Sequence, residues 1–191
     1  MLITKTNPSG LNWYVQQLQT KIHDRLVGVS GWNLADATKY KAYGLCHRNK
    51  TDDGYVAENY EGDGEYREVY FDDTLTTISF FGITGRITGA INSEADVHLI
   101  FFVDLSKLAL EDFRGTTIEH RADEEVRKSV LSIIGKNSNG FEVQSVELWL
   151  ENVLREYPGS RRDDRLKFID IHPVHCFRIN LKLFYNANKH C

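Results

Sequence analysis

A nearly continuous apolar run in the middle of the chain places the strongest constraint on the fold. Residues 97–103 comprise six apolar side chains, and only His98 interrupts them. A strand with one face in solvent alternates polar and apolar residues, whereas a strand covered on both faces does not. We therefore expect residues 97–103 to form a central strand with packed layers on both sides, and Asp104 to end it.

Two segments have the spacing of amphipathic helices. Between residues 11 and 26, and again between 122 and 134, apolar residues recur at steps of three and four. The first stripe comprises Leu11, Val15, Leu18, Ile22 and Leu26, and the second comprises Ala122, Val126, Val130, Ile133 and Ile134. The polar residues Gln16, Gln19 and Asp24 would lie on the outer face of the first helix. Acidic residues 123–125 complement the positive end of the second helix, and Gly135 suits its C-terminus.

A third helix is predicted between residues 145 and 156. Val146, Leu150, Val153 and Leu154 recur there at helical spacing, and Ser145 is a candidate N-cap. Pro158 and Gly159 would follow its end.

The remaining apolar segments favour strands. Residues 65–71 and 75–81 are rich in aromatic and β-branched side chains. Residues 174–185 alternate, with an apolar face opposite a mostly polar one, which indicates a half-buried strand antiparallel to a neighbour. The chain is therefore expected to be α+β, a mostly antiparallel sheet flanked by about three amphipathic helices, in a single domain over residues 1–191.

Opposite charges occupy separate segments. Residues 52–73 contain nine acids and only Arg67 as a base, a local net charge of −8, within a predicted acidic loop or hairpin insertion around residues 48–73. A basic loop follows the predicted third helix. Both segments could simply be solvated, or the acidic region of one copy could face the basic loop of the next. The candidate subunit-interface or channel residues are Asp52, Asp53, Glu61, Asp63, Arg161, Arg162 and Arg165.

The sequence contains only weak motifs for metal binding, phosphate binding or catalysis. His172, His175 and Cys176 are potential metal ligands, but Pro173 interrupts them and a structural strand is the preferred interpretation. The glycine-rich residues 82–89 lack the ending of a phosphate-binding loop, and no nucleophile elbow occurs. We expect no enzyme activity, cofactor or metal. The alternative is a small cytoplasmic enzyme or ligand-binding domain whose pocket beside residues 97–103 is lined by His98, His120 and His175.

Composition narrows the setting. The net charge of −4 gives no general attraction to nucleic acid or to anionic membranes. The longest apolar runs are too short to cross a bilayer, no signal peptide is visible, and three scattered cysteines fit a reducing interior. We expect synthesis in a cytoplasm and no membrane partner. An adaptor that binds a different protein as a monomer remains a third possibility.

The order of elements resembles the tail-terminator, tail-completion and head–tail connector proteins of tailed bacteriophages. The resemblance rests on the N-terminal helix, the strand-rich middle, the run at 97–103, the segment 120–127 and the closing strand 170–180. The last two are similar to segments of virion proteins from phages of Bacteroidetes hosts, including the crAss-like group. The acidic insertion departs from the compact family pattern.

The resemblance implies a structural role in the virion. Such proteins form a homo-oligomeric ring around the DNA channel, between portal and adjacent connector or tail proteins, and do no chemistry. DNA would pass without sequence-specific binding, and the acids of residues 52–73 would lie near the lumen or a subunit interface. A negative lumen would not retain the phosphate backbone.

Overall fold

The computed structural model describes residues 1–36, 38–62, 65–69, 74–85, 87–89, 91–109, 119–136, 140–162 and 173–188. The strands are β1 (Leu2–Ile3), β2 (Tyr40–Leu45), β3 (His47–Thr51), β4 (Gly54–Gly62), β5 (Glu65–Glu68), β6 (Thr77–Ile83), β7 (Asn92–Asp104), β8 (Phe141–Leu148) and β9 (Val174–Asn186). The helices are α1 (Leu11–Val27), α2 (Leu105–Leu108), α3 (Glu119–Lys136) and α4 (Leu150–Val153), and a 3-10 turn covers Gly159–Arg162.

Two sheets organise the fold. The larger has six strands in the order β1-β2-β6-β7-β9-β8, and the smaller is the antiparallel sheet β3-β4-β5. Strands β1, β2 and β6 run parallel to one another, and every other pairing in the large sheet is antiparallel. The predicted α+β class with a mostly antiparallel sheet is confirmed. The apolar run at 97–103 lies in β7, an interior strand, as expected.

One face of the large sheet packs against α1 and α3. All ten apolar residues predicted for the two helical stripes are buried in this layer. Phe101 of β7 and Phe177 of β9 are directly paired in register, and their rings stack with centroids 5.0 Å apart. This face contains the larger of the two apolar clusters.

The opposite face of the sheet is covered by the small sheet and by residues 150–157. Phe80, Ile100 and Phe102 of the large sheet meet Ala57 of β4 and Tyr157 there. Strand β7 is therefore enclosed by two apolar layers, which explains its lack of alternation. Within the acidic segment, residues 54–62 and 65–68 are strands of the small sheet, so they form part of one covering layer.

The predicted third helix is wrong over most of its length. Residues 141–148 form strand β8, which pairs with β9, and only Leu150–Val153 are helical. The apolar spacing of residues 146–154 is helical, but backbone pairing with β9 decides the conformation. A second correction concerns Gln19, which was expected on an outer face. It is buried and donates from Nε2 to the carbonyl oxygens of Ile3 and Ala42, 2.8 Å away in each case.

In the part of the chain described, no helix combines the length and apolar character needed to cross a lipid bilayer.

Replacing Phe101 with alanine should destabilise the protein by about 3–5 kcal/mol, because the ring is fully buried and its stacking on Phe177 is lost. The matched substitution Phe184→Ala removes a ring that is 45% exposed on a neighbouring strand and should cost under about 1 kcal/mol. Urea unfolding of both variants measures the difference. Equal losses would contradict the described position of the core.

Candidate functional site

A buried arginine on β9 is the centre of the main polar cluster. The side chain of Arg178 is fully buried, and its guanidinium binds both carboxylate oxygens of Glu156, with the NH2–Oε1 distance at 3.0 Å. It also donates from Nε to Asn180 Oδ1 at 2.6 Å and from NH2 to Thr84 Oγ1 at 2.8 Å. A planar guanidinium suits such bidentate pairing, and the hydrogen bonds compensate for its burial.

His98 continues this cluster on the neighbouring strand β7. Its Nδ1 lies 2.6 Å from Thr84 Oγ1 and its Nε2 lies 3.0 Å from the Tyr157 hydroxyl. Gly82 provides the space, because a Cβ atom there would overlap with the Tyr157 hydroxyl and His98 Nε2. Both ring nitrogens are engaged, as a neutral imidazole with one donor and one acceptor requires.

The cluster extends to the end of β8 and fixes both sides of the turn that follows. Asn180 donates from Nδ2 to Glu147 Oε1 at 2.6 Å, and Arg155 contacts Glu147 at 2.9 Å and Glu156 at 3.1 Å. Glu147 and Glu156 therefore hold the turn between them on the sheet. We call these linked side chains the Arg178 network: Thr84, His98, Glu147, Arg155, Glu156, Tyr157, Arg178 and Asn180.

The pKa shifts in the Arg178 network favour a stabilising role over a role in proton transfer. Burial, followed by the charge of Arg178, lowers the pKa of His98 to about 3. Despite opposing burial, hydrogen bonds and charge from Arg178 lower the pKa of Glu156 to about 2. Burial raises the pKa of Tyr157 well above its ordinary value. At neutral pH these groups stay in one protonation state, whereas a general acid or base works best with a pKa near the operating pH.

Exposed apolar side chains concentrate at the two edges of the large sheet. Among the described residues ten large apolar side chains are exposed, and four of them are Val143, Val146, Leu148 and Trp149 at the β8 edge. Three more, Met1, Tyr60 and Tyr66, lie beside β1, the opposite edge. A soluble protein usually scatters such side chains singly, so two groups at two edges indicate contact surfaces.

Trp149 projects from the turn that the Arg178 network holds. Its side chain is 66% exposed, and it alone among the described non-glycine residues has a positive φ, at 72°. Its carbonyl accepts from the backbone N–H groups of Asn152 and Val153 at 3.0 Å, which begins helix α4. A positive φ costs a bulky residue about 1–3 kcal/mol of conformational free energy, so the surrounding contacts must impose this conformation.

A cleft of about 530 Å³ lies beside β1. Residues Met1, Ile3, Thr4, Lys5, Thr6, Asn7, His47, Tyr60 and Tyr66 line it. One wall is aromatic, since the Tyr66 ring centroid lies 5.1 Å from that of Tyr60 and 5.3 Å from that of His47.

The other wall of the cleft is the N-terminal segment, which polar side chains of α1 hold in place. Gln16 accepts from the Lys5 backbone N–H at 2.8 Å and donates to the Lys5 carbonyl at 3.2 Å. The Lys5 ammonium donates to Asn12 Oδ1 at 2.8 Å, and burial lowers its pKa. Gln19 holds the Ile3 carbonyl in the same way.

The candidate interface residues from the sequence fall in two segments that are neighbours within one chain. Asp52 and Asp53 are exposed in the β3–β4 turn, and the next residue, Gly54, packs against Gly159 of the 3-10 turn. A Cβ atom on Gly159 would lie 3.0 Å from the Gly54 carbonyl carbon, so the backbones are in close contact. Acidic and basic segments therefore approach each other without a second copy. Their contact between copies stays a prediction.

The other candidate residues are only partly described. Arg161 and Arg162 lie in the 3-10 turn and Glu61 in β4, with their side chains outside the description. Asp63 and Arg165 lie outside the described residues.

The histidines of the alternative pocket do not come together where they can be placed. The register pairs His98 with Asn180 and His175 with Val103, so His98 and His175 face opposite sides of the sheet. His175 Nδ1 instead lies 4.0 Å from Asp123 Oδ2. The His120 side chain and the whole of His172 lie outside the description. Among the residues it covers, no group of three or more His, Cys, Asp or Glu side chains could hold a metal ion.

The sequence interpretation missed Arg178, Glu156 and Trp149. Arg178 lies on the face of residues 174–185 that was interpreted as mostly polar, although a second apolar layer covers that face. Its partner Glu156 is 22 residues away in sequence, so local spacing gives no signal. Trp149 stands within the predicted third helix, where the helical spacing of the apolar residues gives no sign of a turn.

Glu156→Ala should destabilise the protein by about 3–5 kcal/mol, because it leaves the buried Arg178 charge without its partner. The double variant Arg178→Met/Glu156→Leu should recover a large part of this loss, since no unpaired charge remains. As a control, Glu65→Ala breaks an exposed pair with Arg67 and should cost at most about 1 kcal/mol. Urea unfolding measures all three, and equal losses for Glu65→Ala and Glu156→Ala would contradict the buried pair.

Acid should destabilise the protein before carboxylates titrate. The folded state keeps His98 neutral, whereas the unfolded chain protonates it below its ordinary pKa of 6.5. Its contribution is therefore complete above pH 6.5 and is lost as the pH falls toward 3. Between pH 6.5 and 4.5 the free energy of unfolding should fall by about 2–3 kcal/mol. The variant His98→Gln should lose this slope in urea titrations at each pH, and an unchanged slope would contradict the assignment.

Comparison with models of protein families gives no match for this chain, and comparison with curated proteins gives no match either. The case for a function therefore depends on the geometry described above.

Proposed function

We propose that the protein is a non-enzymatic virion structural protein that forms a homo-oligomeric ring in the head–tail connector or tail of a bacteriophage, around the DNA channel. The observation that carries the proposal is the grouping of exposed apolar side chains at both edges of the large sheet. Two different contact surfaces on opposite edges allow each copy to bind one neighbour on each side. Such a head-to-tail contact closes into a ring when the rotation between copies permits.

The Arg178 network supports a structural role over the alternative of a histidine-lined pocket. His98 is enclosed with both nitrogens engaged, and it lies on the opposite side of the sheet from His175. The four clefts that can be described are lined by residues outside the network. A pocket enzyme would instead need polar groups converging on an accessible cavity.

The resemblance to connector proteins supplies the setting of the proposal. The ring would assemble in the host cytoplasm, join the virion, and contact portal or adjacent connector and tail proteins. Asp52 and Asp53 are exposed on the small sheet, where they would keep a nearby lumen negative. A negative lumen would let DNA pass without retaining its phosphates.

Native mass spectrometry and size-exclusion chromatography at about 50 mM and about 1 M salt test the proposal. We expect one closed oligomer at both concentrations, because apolar contacts persist where a Debye length of about 3 Å screens charges. If the oligomer dissociates only at high salt, the proposal of a ring stands, but its subunit contact is assigned to the acidic and basic segments. A monomer at both concentrations would contradict the proposed function.

A further inference from the structure

We propose that Trp149 of one copy inserts into the cleft beside β1 of the next copy, between the N-terminal segment and the Tyr60–Tyr66 wall. The inference rests on the proposed ring and names the contact that would build it. In this contact the Arg178 network would fix the position of the turn that carries Trp149.

Trp149 has the properties of an interface anchor. It is the most exposed of the large apolar side chains in the described chain, and tryptophan is among the residues most enriched at binding hot spots. Glu147 and Glu156, on either side of it, are tied to β9 through Asn180 and Arg178. The indole is therefore presented from a rigid base, which lowers the entropy lost on binding.

The cleft fits an indole in size and chemistry. Its volume of about 530 Å³ is within the range that accepts a small molecule, so one indole can enter. Tyr60 and Tyr66 offer ring faces and edges, and aromatic pairs prefer such offset or edge-to-face contacts. The ammonium of Lys5 in the wall could lie against the indole face. Gln16 and Gln19 hold that wall in place before any partner arrives.

The charged side chains nearest the indole and the cleft can pair between copies. On the Trp149 side, Glu147 is bound by Arg155, Glu142 is paired in register with Lys182, and Glu151 lies next to the turn. The described lining of the cleft includes Lys5 and His47 and contains no carboxylate. Contact of Glu151 in one copy with Lys5 or His47 in the next would favour the head-to-tail arrangement over contact between two identical edges.

The geometry requires a second copy. Strands β1 and β8 are the two outer strands of the six-stranded sheet, five strand spacings apart. At about 4.8 Å for each spacing they are separated by about 24 Å, so Trp149 cannot reach the cleft of its own chain. Each copy therefore offers one anchor and one cleft, and the contact repeats in one direction.

The variant Trp149→Gly separates assembly from folding. It removes the indole and supplies the residue that adopts a positive φ most readily, so the thermal midpoint should stay equal or rise. The apparent dissociation constant between copies should increase at least about thirtyfold by analytical ultracentrifugation. Phe184→Ala, which removes another exposed aromatic ring, is the matched control and should leave assembly unchanged.

Disulfide trapping tests the contact directly. Trp149→Cys and Thr6→Cys are placed in separate copies of a Cys191→Ser protein and mixed under mild oxidation. We expect a covalent dimer from this mixture, and none from Trp149→Cys mixed with Ile91→Cys, whose position is also exposed.

The outcomes distinguish this contact from the ring itself. If Trp149→Gly still forms the same ring as the wild type, the Trp149 contact is overturned and the proposed function stands. The same holds if the wild type forms rings but the first mixture of cysteine variants gives no covalent dimer. A wild-type protein that is monomeric at every concentration would overturn both. Loss of rings in Trp149→Gly together with the specific covalent dimer would support both.

Discussion

The buried pair between Arg178 and Glu156 is the interaction on which the Arg178 network and the turn around Trp149 depend. It joins the last long strand to the segment after β8, across 22 residues of sequence. Because both charges are largely withdrawn from water, the pair is tolerated only with the hydrogen bonds that Arg178 donates to Thr84 and Asn180. Asn180 also binds Glu147, so the residues on both sides of Trp149, whose φ is 72°, are tied to β9.

The two layers that cover the large sheet differ in composition. The helix layer encloses the Phe101–Phe177 stack and supplies most of the buried apolar surface. The opposite layer combines the small acidic sheet with the Arg178 network, so polar and apolar groups share it. This layer reaches both edges of the large sheet. The cleft with the aromatic wall lies at one edge, and the exposed Trp149 lies at the other. An asymmetric pair of edges is the arrangement that a head-to-tail ring requires.

The sequence predicted the parts of this fold that local periodicity determines. The apolar stripes of α1 and α3 and the run at 97–103 are all buried as expected. The part of strand β8 from residue 145 on was missed because its apolar residues and those of α4 together imitate a helical stripe, while pairing with β9 depends on residues far along the chain. Arg178 was missed for a related reason, since alternation along a strand cannot tell which faces a later layer covers.

We propose that copies of this chain assemble head-to-tail through the two edges of the sheet. Electron microscopy of the purified protein, imaged without chemical cross-linking, tests it most directly. We expect closed rings of uniform subunit number with an opening wide enough for duplex DNA. Isolated particles of about 22 kDa, or symmetric dimers without an opening, would contradict it.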